Sequence, residues 1–132
     1  FADILLSPGA LGQTVWFEAG EGPRLGELPS LDALEAEIEA STFKLTPVGQ
    51  TLSLVRAALE PERALIGFAG APWTVASYMI EGGSSDRSKA RTFAYEQPQA
   101  MDRLRRQQGK TVQAGWGTVA LWLQATPPRL IV

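Results

Sequence analysis

The chain has neither cysteine nor histidine among its 132 residues. Without cysteine it has no disulfide framework and no thiol nucleophile, and without both residue types it has no zinc site of the usual kind. The lack of histidine also excludes a Ser/His/Asp triad. These reaction classes are therefore excluded within this sequence.

The chain also lacks a large excess of either basic or acidic residues. Twelve basic and 14 acidic residues give a net charge of −2, and no basic stripe is visible. We therefore expect no nucleic-acid partner, since such a partner requires neutralisation of phosphates. The uncharged run at residues 64–80 contains two glycines and a proline and falls below about 18 residues, so it predicts a buried strand and turn and not a membrane span. No signal peptide is recognised, and we expect a cytoplasmic protein.

Residues 65–83 have the pattern of a strand, a sharp turn, a short helix and a stop. Pro72 suits the first turn of a helix, and Gly82 suits its end. In α/β enzymes, the active site lies at turns of this kind, between the end of a strand and the start of the next helix. The aromatic side chains here, which would wall the mouth of a site for a flat ligand, are Phe68, Trp73 and Tyr78.

Residues 1–6 form a short apolar run that is interrupted by Asp3 and closed by Ser-Pro-Gly, which predicts a strand. A helix beginning near Thr46 and Pro47, with Thr46 as its cap, separates this strand from a second one at residues 64–69. The order strand, helix, strand predicts a right-handed parallel unit. Asp3 and Phe68 would then open toward the same end of neighbouring strands.

The other segments alternate between turn and helix patterns. We expect a short edge strand at residues 13–17, a loop at 20–29 and a helix capped by Ser30. Two further helices are predicted, one capped within residues 84–86 and running through Tyr95, and one starting at Pro98.

Several of these segments together resemble the uroporphyrinogen decarboxylase family. The resemblance rests on FADIL at residues 1–5, ALG at 10–12, LIGFAGAPWT at 65–74 and SYMIEGG at 77–83, with the turn GEGP at 20–23 between the second and third. It runs from Phe1 to about Leu104 and covers an early-to-middle portion of the family's chain.

The resemblance implies an α/β fold that is part of a (β/α)8 TIM barrel. A whole barrel takes roughly 250 residues, and the chain begins on Phe1 instead of Met, so we expect a fragment that is inactive and poorly stable by itself. Residues 1–104 would belong to the barrel, and residues 105–132 would be a divergent tail. A shifted reading frame, true divergence and a splice of unrelated sequence all remain open as its origin.

Asp3 is the strongest candidate for chemistry, because a carboxylate at a strand end is costly to desolvate unless it pairs with ligand donors. By resemblance, Asp3 gathers the pyrrole N–H groups of the substrate and stabilises the cation formed when a ring is protonated. Tyr78 is implied as the second catalytic residue, near the reacting acetate. Ile4 and Phe68 are implied to line an apolar substrate cleft together with these two. Plain core packing or a solvated carboxylate is the competing interpretation.

The implied activity is removal of the four acetate carboxyl groups of uroporphyrinogen as CO2, which yields coproporphyrinogen in heme biosynthesis. The implied enzyme is a homodimeric lyase without cofactor or metal, and its partner is the tetrapyrrole substrate. Two alternatives stay open: a cobalamin-linked methyltransferase of related fold, and a noncatalytic truncated remnant.

Overall fold

The computed structural model describes residues 3–66, 68–83 and 85–124, with side chains as far as residue 113. Two strands, β1 (Val15–Glu18) and β2 (Gly22–Leu25), follow the first helix. The helices in chain order are α1 (Leu6–Ala10), α2 (Leu31–Ala36), α3 (Ile38–Lys44), α4 (Thr46–Ala58), α5 (Pro72–Glu81), α6 (Ser88–Glu96) and α7 (Pro98–Gln124).

Strands β1 and β2 form an antiparallel hairpin in which Val15 is opposite Leu25 and Glu18 is opposite Gly22. The turn needs glycine because Gly20 and Gly22 have φ values of 84° and 86°. The predicted edge strand is confirmed to within two residues. The prediction of loop throughout residues 20–29 is wrong for β2. The strand begins with Gly22 and Pro23, which favour turns over strands and so hide it in the sequence.

Several helix boundaries follow the predicted local chemistry. The Ser30 hydroxyl accepts a hydrogen bond from Ala33 N (3.2 Å) at the start of α2. Pro72 opens α5, and Gly82 ends it with a left-handed φ of 78°. Helix α4 also begins as predicted, but Thr46 is not its cap. Its hydroxyl instead donates to Thr42 O (3.4 Å) in the preceding helix.

The core forms where α1, α2 and α5 pack against the first half of α7. Its largest fully buried aliphatic and methionine side chains are those of Leu11, Leu34, Val75, Met79 and Leu104. The same half of α7 also buries the polar residues Gln107, Gln108 and Thr111. Helix α7 therefore continues without a break past residue 104, and the proposed domain boundary at that residue stays a prediction.

The two predicted parallel strands are absent from the described residues. Residues 3–5 form a coil and a turn before α1, and neither 64–66 nor 68–69 is a strand. The Asp3 carboxylate accepts a hydrogen bond from Leu5 N (2.9 Å), a local turn that competes with an extended backbone. Parallel strands also depend on neighbouring strands for their hydrogen bonds, and the described sheet contains only β1 and β2.

The prediction that Asp3 and Phe68 end adjacent parallel strands is therefore wrong for this structure. What the structure has is a mixed fold, mostly helical, with a small two-stranded sheet. Over residues 3–66, 68–83 and 85–124, no helix combines the length and apolarity that crossing a membrane requires.

Candidate functional site

The two segments that carry the predicted site lie next to each other, although no strand ladder joins them. Ile4 contacts the backbone at Gly70 so closely that a Cβ added to Gly70 would lie 3.0 Å from the Ile4 Cβ. The same added atom would lie 2.7 Å from Val75 Cγ2. Only glycine allows this approach, which brings the Asp3-Ile4 dipeptide against the turn before α5.

Asp3 is exposed at this contact. One of its carboxylate oxygens is held by Leu5 N (2.9 Å), and within the described residues the carboxylate has no ion-pair partner. A carboxylate in this state keeps most of its accepting capacity available to a ligand with N–H donors.

Ile4 and Phe68, the predicted apolar lining, differ in their surroundings. Ile4 is half-buried and packs against the core, whereas Phe68 is 64% exposed. Ile66, from the same segment as Phe68, is 77% exposed. The described residues therefore present this apolar segment on the surface, and its part in enclosing a substrate stays a prediction.

Tyr78 lies in the last two turns of α5, half-buried against the core. It lines a small cavity of about 50 Å³, which suits a few water molecules and not a macrocycle. The other lining residues are Ser77, Glu81, Gly83, Ser85 and Arg87. The Glu81 carboxylate accepts a hydrogen bond from Ala90 N (2.8 Å) and so joins the end of α5 to the first turn of α6.

The hairpin holds the same end of α5 through backbone groups. Leu25 N donates to Gly82 O (2.9 Å), and Arg24 forms an isolated antiparallel bridge with Gly83. The side chain of Gln13 donates to Met79 O (3.0 Å). Gln13 was not among the predicted site residues, because a single amide at the start of a predicted edge strand has no pattern that distinguishes it from a surface residue.

Charged side chains are concentrated elsewhere, between α2 and α7. Arg103 contacts Asp32 (Nη2 to Oδ1, 2.5 Å) and Glu35 (Nη2 to Oε2, 2.7 Å). The hydrogen bond from Arg103 lowers the pKa of Glu35, and the hydrogen bond to Glu35 raises the pKa of Arg103. Near the predicted site, the backbone N–H of Ser88 donates to the Asp86 carboxylate (3.0 Å) just before α6 and lowers the pKa of Asp86. The prediction of a side-chain cap within residues 84–86 is wrong, since Arg87 is the N-cap of α6.

Comparison with known proteins agrees with the resemblance seen in the motifs. The family described as Uroporphyrinogen decarboxylase (URO-D) matches residues 1–112, a range that contains Asp3, Ile4, Phe68 and Tyr78. Because the match covers most of the chain, this chain belongs to the uroporphyrinogen decarboxylase family.

Individual relatives carry the same name. The chain is 64% identical over 104 residues to "Uroporphyrinogen decarboxylase" of Caulobacter vibrioides (strain NA1000 / CB15N). It is 65% identical over 104 residues to the protein of that name from Phenylobacterium zucineum (strain HLK1). Each match covers 79% of this chain but 30% of the relative. The chain thus spans about a third of the length of the curated relatives that it matches.

Proposed function

We propose that this chain is part of an enzyme that converts uroporphyrinogen to coproporphyrinogen by removing the carboxyl groups of its four acetate side chains. The observation that carries the proposal is the 64% identity over 104 residues to a protein named uroporphyrinogen decarboxylase. The activity would belong to heme biosynthesis. We also infer that the complete enzyme is a cytoplasmic homodimer.

The reaction uses the pyrrole ring as its own electron sink. Protonation of a ring carbon makes the ring cationic; the bond from the acetate methylene to its carboxyl carbon then breaks, CO2 leaves, and the electron pair neutralises the ring. A second proton adds at the exocyclic carbon and produces the methyl group. The ring supplies the delocalisation, so the proposal includes no cofactor and no metal.

Asp3 is proposed to gather the pyrrole N–H groups and to stabilise the ring cation. Its support is an exposed carboxylate that retains accepting capacity after bonding Leu5 N (2.9 Å). A fixed negative charge facing a developing positive charge is among the strongest sources of catalysis. The contact between Ile4 and Gly70 supports a fixed direction for the segment that carries this carboxylate.

Tyr78 is proposed to place its hydroxyl near the reacting acetate. Its support is a half-buried position beside a cavity of about 50 Å³, large enough for a carboxyl-sized group. Ile4 and Phe68 would contact the apolar parts of the macrocycle. We further infer that the complete protein closes into a TIM barrel, in which the exposed apolar segment at 65–69 becomes covered.

The test is anaerobic incubation of the complete gene product containing this chain with uroporphyrinogen, followed by oxidation and chromatographic separation of the porphyrins. We expect stepwise loss of four carboxyl groups and accumulation of coproporphyrinogen. The 132-residue chain by itself should show no turnover, because a partial barrel leaves a sheet edge and helix faces uncovered. A folded complete protein that leaves uroporphyrinogen unchanged would contradict the proposal.

A further inference from the structure

Gln13 is a buried polar residue whose hydrogen bonds tie the hairpin to α5. Its side chain is 2% exposed, and its Nε2 donates to both Gly26 O (2.9 Å) and Met79 O (3.0 Å). Its Oε1 is also buried and has no hydrogen-bond partner among the described residues. Burial of an amide is unfavourable unless hydrogen bonds to the protein replace those to water. For Gln13, only the two hydrogen bonds donated by Nε2 compensate for its burial.

One of the two acceptors belongs to a helix end that lacks partners of its own. The last carbonyl groups of an α-helix have no intrahelical donor and need one from outside. In α5, Met79 O receives that donor from Gln13, and the carbonyl of Gly82, the residue that ends the helix, receives one from Leu25 N (2.9 Å). The final turn of α5 and the glycine that ends it are thus attached to the hairpin region through two carbonyl groups.

This attachment lies directly beside Tyr78. Met79 is the next residue along α5, and Tyr78 O accepts the bond from Gly82 N (2.9 Å) that closes the helix. A change in the direction or winding of this turn would therefore move the Tyr78 side chain relative to the cavity that this residue lines. Reactions between held groups are sensitive to such shifts, and a misplacement of about 1 Å can cost roughly 100-fold in rate.

We propose that Gln13 is a positioning residue for Tyr78: its two donors fix the last turn of α5 and so place the tyrosine hydroxyl for the reaction. The role of Gln13 in catalysis rests on the proposed function. The attachment of the last turn of α5 by Gln13 is independent of that function.

The chain offers a matched control in Gln107. This glutamine is 1% exposed, its Nε2 donates to Leu31 O (2.7 Å), and its Oε1 is likewise buried without a partner. It differs from Gln13 in that its acceptor belongs to α2 and not to α5. Replacement of each by methionine preserves the approximate shape and removes the donors.

The kinetic test compares Gln13→Met and Gln107→Met in the complete gene product, each with and without Tyr78→Phe. Both single variants should lower the melting temperature. We expect Gln13→Met to lower kcat about tenfold with little change in KM, and Gln107→Met to keep kcat within about twofold. In the Tyr78→Phe background, the kcat loss from Gln13→Met should largely disappear. An equal loss in both backgrounds would overturn the positioning role.

Amide hydrogen exchange provides a readout that does not need turnover. Gln13→Met should speed exchange in the last turn of α5, at residues 79–82, beyond any global change seen with Gln107→Met. Unchanged protection there relative to the control would also overturn the proposal.

The two proposals fail in different ways. If the unsubstituted complete protein does not decarboxylate uroporphyrinogen, the proposed function and the catalytic role of Gln13 fall together, while exchange still decides whether Gln13 fixes the helix end. If that protein is active but Gln13→Met lowers kcat by the same factor with and without Tyr78→Phe, only the inference about Gln13 fails.

Discussion

The two ends of α5 (Pro72–Glu81) are held in different ways. At the end near Tyr78, a left-handed glycine, a buried amide and two backbone contacts from the hairpin fix the chain. At the other end, residues 64–66 and 68–69 have no regular secondary structure, and Ile66 and Phe68 are exposed. A helix end can be completed by a few nearby donors, whereas a strand needs a neighbouring strand along its length.

The two residues proposed to be catalytic lie at different ends of this helix: Asp3 is near the less constrained end and Tyr78 near the more constrained one. At the less constrained end, the backbone of Gly70 lies close to Ile4 and Val75. Substitutions at the two ends should therefore separate loss of catalysis from loss of folding.

Asp3→Asn in the complete enzyme should give the largest effect. The change keeps the shape but removes the negative charge that is proposed to face the ring cation, so we expect kcat to fall by about 10²- to 10³-fold, or about 3 to 4 kcal/mol. Stability should change little because Asp3 is exposed. Tyr78→Phe is the milder control, since it removes one hydroxyl contact. Steady-state kinetics combined with thermal melts tests this; near-normal turnover, or inactivity through unfolding, would reject the charge-stabilising role.

Gly70→Ala should give the next largest effect, a loss of folding stability. The added Cβ would lie 2.7 Å from Val75 Cγ2 and 3.0 Å from the Ile4 Cβ, and overpacking of this kind typically costs about 1 to 3 kcal/mol. Gly109→Ala is the matched control: it lies in α7 with no atom within 4 Å of an added Cβ, and should stabilise by about 0.5 to 1 kcal/mol. Denaturant unfolding of the complete protein measures both. Equal effects would mean that the contact with Ile4 is not tight.

Gly82→Ala tests the opposite end of α5. A side chain at φ 78° is strained, and its Cβ would lie 3.2 Å from Leu25 O, so we expect a loss of about 1 to 2 kcal/mol. Gly82→Asn should lose less, because asparagine tolerates the left-handed conformation better. The free energies of unfolding of the two variants check this order, and a reversed order would show that backbone conformation is not what limits this position.

The smallest effect should come from the ion pairs between α2 and α7, outside both ends of α5. Because Arg103 lowers the pKa of Glu35 in the folded chain below its ordinary 4.5, the stabilisation is complete above pH 4.5 and is lost as the pH falls through the lowered value. Glu35→Gln should therefore narrow the difference in melting temperature between pH 6 and pH 3. Salt should weaken the effect, as the pair is exposed. An identical pH dependence in both proteins would contradict this assignment.

The sequence predicted helix starts and ends correctly where a single residue and its near neighbours in the chain determine them. Ser30 at the start of α2, Pro72 at the start of α5 and Gly82 at its end were predicted correctly. The strand at residues 64–69 was not, because its apolar composition indicates burial between neighbours, and the described residues place no strand beside it. Strand β2 was missed for a different reason, because Gly22 and Pro23 at its start favour turns over strands.

The sequence by itself determined the family and the segments that carry Asp3 and Tyr78, because motifs of consecutive residues are visible without coordinates. Only the tertiary structure decided which distant groups meet: Ile4 with Gly70, and Gln13 with the last turn of α5. The physical reason is that a helix cap or a glycine turn is satisfied within a few residues. A buried carbonyl at a helix end accepts whichever donor the packing brings to it, and here that donor lies 66 residues away in the chain.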